Sequence, residues 1–80
     1  MKSEHWAKDF GTQPLEALLT RLGLTNADLV RASTQQLSFK MVQRGRKGRK
    51  LTPNIQRKIL NALHAAAPDN SFMLKELFNY

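Results

Sequence analysis

The chain has 80 residues, of which 41% are hydrophobic, and a formal net charge of +7 at pH 7. This length suits one small domain near the lower limit of what folds without a disulfide or a metal. The absence of cysteine excludes disulfides and thiolate metal ligands. No apolar run approaches the roughly 20 residues of a membrane-spanning helix, and the N-terminus lacks the apolar core of a signal peptide. We therefore expect a cytoplasmic protein with no membrane association.

The positive charge is concentrated in one part of the chain. Eight of the 13 Lys and Arg residues lie between Lys40 and Lys58, and this stretch contains no Asp or Glu. An evenly charged surface that only keeps the protein in solution is the alternative to a binding site. Charge concentrated in this way favours a binding site for a polyanion, and nucleic acid is the partner that we expect.

The first predicted elements are an arm and a helix. Residues 1–11 predict an N-terminal arm or short helix that lays Trp6 on the core, and residues 12–80 predict the main domain. A helix is predicted from about Gln13 to Leu22, with Pro14 in its first turn and Gly23 as its stop signal. Its buried stripe has the i, i+3, i+4, i+7 spacing of a helix. The stripe consists of Leu15, Leu18, Leu19 and Leu22.

The second predicted helix covers about Asn26–Ala32. Thr25 and Asp28 have the spacing of a capping box, and Leu24 and Leu29 have that of a hydrophobic staple. Residues 33–36 are polar and predict a turn. A capping box formed by residues 33 and 36 is the alternative, and it would start the next helix earlier.

A short basic helix, Ser38–Lys47, is the most informative element of the sequence. Ser38 is a good N-cap, and Gly48 suits the position just past the C-terminus. Val42 and Gly45 form a narrow inward strip, so most of the other side chains face elsewhere. Gly45 either lies inside the helix, where it permits close approach of another helix, or marks an earlier stop.

The last predicted elements are a fourth helix and an apolar tail. Thr52-Pro53 is a typical helix start, and Pro68 ends the element. Residues 72–80 predict a short helix or extended tail that either completes the core or forms a dimer surface. The fold class is all-α, a compact bundle of about five short helices. We expect the core to contain Leu15, Leu18, Leu19, Leu22, Leu29, Val30, Leu37, Val42, Ile55, Ile59, Leu60 and Leu63.

Three segments between Leu24 and Leu63 together resemble the helix-turn-helix domains of the lambda repressor/Cro (Xre) family. They are Leu24-Thr-Asn-Ala-Asp-Leu29, Leu37-Ser-Phe-Lys-Met-Val42, and Gly48-Arg-Lys-Leu-Thr-Pro53 with the helix that follows. The chain departs from the family at three points. The usual turn glycine is replaced by Ser33 or Thr34, and Gly45 stands where an aliphatic residue is usual. The spacing from Leu29 to Leu37 is also about two residues longer, which predicts a longer second helix or a wider turn.

The resemblance implies a small transcriptional regulator whose basic helix enters the DNA major groove while the second helix crosses the backbone. Arg and Gln side chains suit guanine and adenine edges respectively, and Lys reaches guanine or phosphate. The expected base-contacting residues are Ser38, Phe39, Lys40, Gln43 and Arg44. The expected phosphate-contacting residues are Asn26, Thr34, Gln36, Arg46, Lys47, Arg49 and Lys50.

Other functions use the same surface differently. A nonspecific DNA- or RNA-binding protein needs the basic patch but no base selection. A DNA-binding antitoxin or adaptor would use the apolar tail for a protein partner, and a homodimer through residues 70–80 is a further expectation. We expect no enzyme activity, because no nucleophile–base pair or phosphate-binding glycine loop is evident, and no metal or cofactor.

Overall fold

The computed structural model describes residues 11–80, so the predicted arm, with Trp6, lies outside the described residues except for Gly11. Five α-helices occupy the described part of the chain, and no β-strand occurs within it. The predicted all-α bundle of about five helices is confirmed. The helices are α1 (Pro14–Leu22), α2 (Asn26–Ala32), α3 (Phe39–Lys47), α4 (Pro53–Ala66) and α5 (Leu74–Leu77).

Side-chain caps mark the starts of α2, α3 and α4, as the sequence predicted. The Thr25 hydroxyl accepts a hydrogen bond from the Asp28 N–H at 3.2 Å, and the Asp28 carboxylate accepts one from the Thr25 N–H at 2.8 Å. The hydroxyl oxygens of Ser38 and Thr52 accept bonds from backbone N–H groups three residues further on, at 3.1 and 3.3 Å. These bonds satisfy amides that the first helical turn leaves without partners. The capping box at α2 and both other N-caps are confirmed.

The connection between α2 and α3 is a wide turn. Since α2 ends at Ala32 and α3 begins at Phe39, the extra residues lengthen the turn and not the second helix. The alternative in which Ser33 caps an earlier start of α3 is wrong. Ser33 instead follows the last turn of α2, and its hydroxyl interacts with the backbone of Gln35.

Helix α4 holds this turn in place. Lys58 donates from Nζ to the Gln36 carbonyl at 3.4 Å, and Asn61 donates from Nδ2 to the side-chain oxygen of Gln35 at 3.1 Å. Leu37 is 7% exposed and enters the core between the two helices. The turn is therefore anchored by contacts to residues more than 20 positions away, which local sequence signals do not reveal.

One hydrophobic core lies between the helices, and α4 contributes its centre with Ile59, Ala62 and Leu63. Eight of the twelve predicted core residues are buried, whereas Leu22, Val30, Ile55 and Leu60 pack against the core only partly buried. Amphipathic helices at the surface of a small bundle cannot enclose every apolar side chain. The buried residues are Leu15, Leu18, Leu19, Leu29, Leu37, Val42, Leu51, Ile59, Ala62, Leu63, Leu77 and Phe78.

The apolar tail completes this core. Leu77 is fully buried and Phe78 is 4% exposed, whereas Met73 is 57% exposed. Helix α5 packs against α1 and α4, and the chain on either side of it is extended. Of the two alternatives for residues 72–80, the structure supports the core, with Met73 as the main apolar side chain left outside.

Gly45 lies inside α3 and allows the tail and the following loop to approach that helix. A Cβ atom at this position would stand 3.0 Å from Leu51 Cδ1, 3.3 Å from Ile59 Cδ1 and 3.4 Å from Phe78 Cε1. The helix continues to Lys47 and ends at Gly48 in the left-handed conformation. Close approach, and not an early stop, is therefore the role of Gly45.

Candidate nucleic-acid interface

The exposed face of α3 carries a stripe of three cations. Lys40, Arg44 and Lys47 follow the i, i+4, i+7 spacing that places side chains on one side of a helix, and all three are exposed. Val42 and Gly45 on the opposite side are buried. The helix is thus fixed to the core by one narrow strip, while its charged side faces solvent.

The start of α3 adds an aromatic and two polar groups to this face. Phe39 is 58% exposed. Ser38 is exposed, and its hydroxyl oxygen is engaged in capping. Gln43 is half-buried, and its Oε1 atom accepts a hydrogen bond from Asn26. These three, with the first two cations of the stripe, are the residues predicted to contact bases, and they lie on one continuous stretch of chain.

The loop after α3 presents two more exposed cations, Arg49 and Lys50, on a backbone held by hydrogen bonds. Leu51 is 6% exposed; its N–H donates to the Tyr80 hydroxyl oxygen at 3.0 Å, and its carbonyl accepts from Gln56 Nε2 at 2.8 Å. Burial raises the pKa of Tyr80 above its ordinary value of 10.0. The supporting roles of Tyr80 and Gln56 were not predictable from the sequence, because no local signal links the loop to the C-terminus.

The predicted phosphate contacts in the turn are also at the surface. Thr34 and Gln36 are exposed in the connection between α2 and α3. The backbone of Gln36 is held by α4, so its side chain projects from a fixed position. Exposed polar or cationic side chains therefore occur in the turn, on α3 and in the loop that follows it.

Two predicted phosphate contacts are engaged inside the protein. Arg46 donates from Nε to Glu16 at 2.6 Å and from Nη1 to Asn26 Oδ1 at 2.7 Å, and its side chain is 18% exposed. Asn26 is 5% exposed and donates from Nδ2 to Gln43 at 2.8 Å. The hydrogen bond from Arg46 lowers the pKa of the Glu16 carboxyl below its ordinary value of 4.5. The phosphate contacts expected of Asn26 and Arg46 do not follow from this geometry.

The cations of the exposed surface keep their charge available. Among the described residues, ion pairs join Arg46 to Glu16 and Arg31 to Asp28, and neither involves the stripe or the loop cations. Within residues 11–80 there is no cluster of His, Asp or Glu able to hold a metal ion. In the same part of the chain, no helix has the length and apolar character needed to cross a membrane.

No family model matches this chain, and searches of curated proteins and of solved structures gave no match. A function therefore has to be inferred from the residues of this chain and their arrangement.

Proposed function

We propose that this domain is a small transcriptional regulator that binds duplex DNA through α3 in the major groove. The observation that carries the proposal is the exposed stripe of Lys40, Arg44 and Lys47 on a helix whose other side is buried. The B-DNA major groove, about 12 Å wide, admits an α-helix. The order of α2, turn and α3, together with the resemblance of the sequence to the lambda repressor/Cro family, supports a helix-turn-helix mode of binding.

The proposed contacts divide into base-reading and phosphate-binding groups. Arg44 donates in a fixed fork that suits guanine O6 and N7, and Lys40 reaches guanine or phosphate. The exposed Phe39 ring suits contact with a thymine methyl group. Lys47 and the loop cations bind phosphates and fix the position of the protein on the duplex without reading sequence. The loop cations are Arg49 and Lys50, and the remaining phosphate-binding groups are Thr34 and Gln36.

Asn26 and Arg46 take a supporting role in this proposal. Their polar atoms already bind each other and their neighbours inside the protein. A phosphate contact by the Asn26 side chain would have to break hydrogen bonds of its nearly buried amide, which costs about 1–3 kcal/mol. We assign both residues to holding α3 against α1 and α2.

Homodimerisation through residues 70–80 remains part of the proposal, with a smaller surface than the sequence suggested. Leu77 and Phe78 are buried in the core, so the exposed Met73 and its half-buried neighbours are what remain for a partner. The same burial gives no support to an adaptor that binds a protein through an exposed apolar tail. A dimer would show itself as half-sites about one helical turn apart.

Selection of bound sequences from a random duplex DNA pool, at near-physiological salt, tests the proposal. We expect an enriched motif, and an inverted repeat within it would indicate a dimer. Lys40→Ala should weaken binding to the enriched sequence. Lys75→Ala is the matched control, because it removes the same charge from an exposed position of α5, a helix that does not pack on α3.

The outcome separates the proposal from its main alternative. Binding without any enriched sequence would contradict base reading and favour nonspecific DNA or RNA binding through the same cations. Competition between duplex DNA and RNA would then distinguish those two partners. Equal loss of binding in Lys40→Ala and Lys75→Ala would also contradict the assignment of α3 as the contacting helix.

A further inference from the structure

A chain of side-chain hydrogen bonds connects α1 to the DNA-facing side of α3. Arg46 Nε donates to Glu16 Oε1 at 2.6 Å, and Arg46 Nη1 donates to Asn26 Oδ1 at 2.7 Å. Asn26 Nδ2 then donates to Gln43 Oε1 at 2.8 Å. The residues come from three helices, so the chain can form only in the folded domain. Its outer end, the amide of Gln43, lies among the residues proposed to read bases.

The direction of these hydrogen bonds is set by chemistry. A guanidinium has five donors and no acceptor, so Arg46 can meet Asn26 only at the amide oxygen. The amide NH₂ group of Asn26 must then face Gln43, which can accept this hydrogen bond only with its amide oxygen. The amide of Gln43 is therefore oriented with Oε1 inward and Nε2, a pure donor, on the outer side.

We infer that this chain makes Gln43 a donor-only reader that selects base edges carrying acceptors alone, guanine O6 and N7 or thymine O4, over the mixed edge of adenine and the donor of cytosine, and that Asn26 is the positioning residue. The inference rests on the proposed DNA binding and revises the adenine preference expected from the sequence. Paired hydrogen bonds to adenine need both an acceptor and a donor from glutamine. Turning Oε1 towards the base would leave the nearly buried amide donor of Asn26 without its partner.

Asn26→Asp tests the inference by reversing the polarity with almost no change of shape. The new carboxylate still accepts from Arg46, but it can only accept from Gln43, whose amide must turn its oxygen outward. An acid in the first turn of α2 is also compatible with the helix dipole. We expect the preferred base at one position to change towards cytosine or adenine, by a factor on the order of ten. Gln43→Glu, which presents an acceptor directly, should shift the same position in the same direction.

The control is Asn54→Asp, which adds the same charge at an exposed position of α4. It should lower affinity for all sequences alike and leave every base preference unchanged. Retention of the wild-type base preference at every position in Asn26→Asp and Gln43→Glu would overturn the inference while leaving DNA binding intact. Absence of any enriched sequence for the wild-type protein would instead overturn the proposed function, and base reading by Gln43 with it.

Side-chain amide exchange in the protein without DNA tests the polarity separately. In the wild-type protein, the Asn26 amide protons should exchange slowly and those of Gln43 rapidly. In Asn26→Asp, the Gln43 amide protons should become protected, because they then donate to the new carboxylate. Rapid exchange of the Gln43 amide in both proteins would overturn the hydrogen-bond chain, whatever the outcome of the DNA selection.

Discussion

Replacing Leu77 with alanine should remove a large part of the free energy of unfolding of this domain. The side chain is fully buried in the core, although Leu77 is only three residues before the last residue of the sequence. Truncation of a buried leucine costs about 2–5 kcal/mol, from lost transfer free energy and the remaining cavity. A domain of this size has a free energy of unfolding of only about 4–12 kcal/mol.

Urea denaturation followed by circular dichroism at 222 nm measures the effect. With an m-value near 1 kcal/mol/M, the midpoint of Leu77→Ala should fall by about 2 M or more. Met73→Ala is the matched control, because Met73 is 57% exposed and its backbone N–H still donates to Glu76 after the change. An exposed substitution of this kind stays within about 0.5 kcal/mol.

Equal midpoints for the two variants would refute the assignment of the tail to the core. A midpoint of the wild-type protein that rises with protein concentration would show that association of chains stabilises the domain. Leu77→Ala should also weaken DNA binding by the folded protein, because the adjacent Phe78 packs beside Gly45 under α3. Binding of the folded variant measured well below its midpoint separates this effect from simple unfolding.

Four further predictions follow from the site. Arg44→Ala should weaken specific DNA binding by about 1–3 kcal/mol and relax base preference at one position; unchanged affinity for the selected sequence would contradict the guanine contact. Lys50→Ala should weaken all duplexes alike and lower the slope of log affinity against log salt by about one unit; a sequence-dependent loss would contradict a phosphate contact. Because Arg46 lowers the pKa of Glu16, their pair stabilises the fold above the ordinary carboxyl range and loses this effect as the pH falls through the lowered pKa. As the pH falls through the ordinary carboxyl range and the lowered pKa, Glu16→Gln should thus lose less stability than wild type. The difference should be at most about 1 kcal/mol, since the Glu16 side chain is 40% exposed; equal acid titrations of stability would contradict this. Burial raises the pKa of Tyr80, so the stabilisation that the neutral phenol provides is present below pH 10.0 and is lost as the pH rises through the raised pKa. Tyr80→Phe should lower the free energy of unfolding by about 1 kcal/mol at neutral pH and should abolish this loss of stability at alkaline pH in urea titrations. An unchanged alkaline profile would contradict the prediction.

The helix limits were predictable because their causes are local. Thr25 and Asp28 are three residues apart and satisfy each other's backbone amides, and Ser38 caps α3 in the same way. Gly48 ends that helix because it takes a φ of 104°, which side chains disfavour, and a Cβ there would also overlap the carbonyl of Gly11. The leucine stripe of α1 identified its buried face for a similar reason, since helical periodicity depends only on neighbours in sequence.

The form of the turn and the place of the tail were not predictable in this way. The sequence allowed either a longer α2 or a wider turn. The structure has the wider turn, which Lys58 and Asn61 contact through hydrogen bonds. It allowed the tail to be core or interface, and burial of Leu77 and Phe78 decided for the core. Such choices depend on which surfaces meet, and no spacing rule within one helix contains that information.

The candidate site divides along the same line. The sequence by itself determined that a short, capped, cation-rich helix exists and that its apolar strip is too narrow to bury its charges. Only the tertiary structure decided which polar side chains face solvent, since Arg46 is held by Glu16 from 30 residues away and Asn26 by Arg46 from 20. The physical reason is that cations close together in sequence make the electrostatic potential of their surface positive wherever they lie. The hydrogen-bond partner of each side chain depends instead on how the helices pack together.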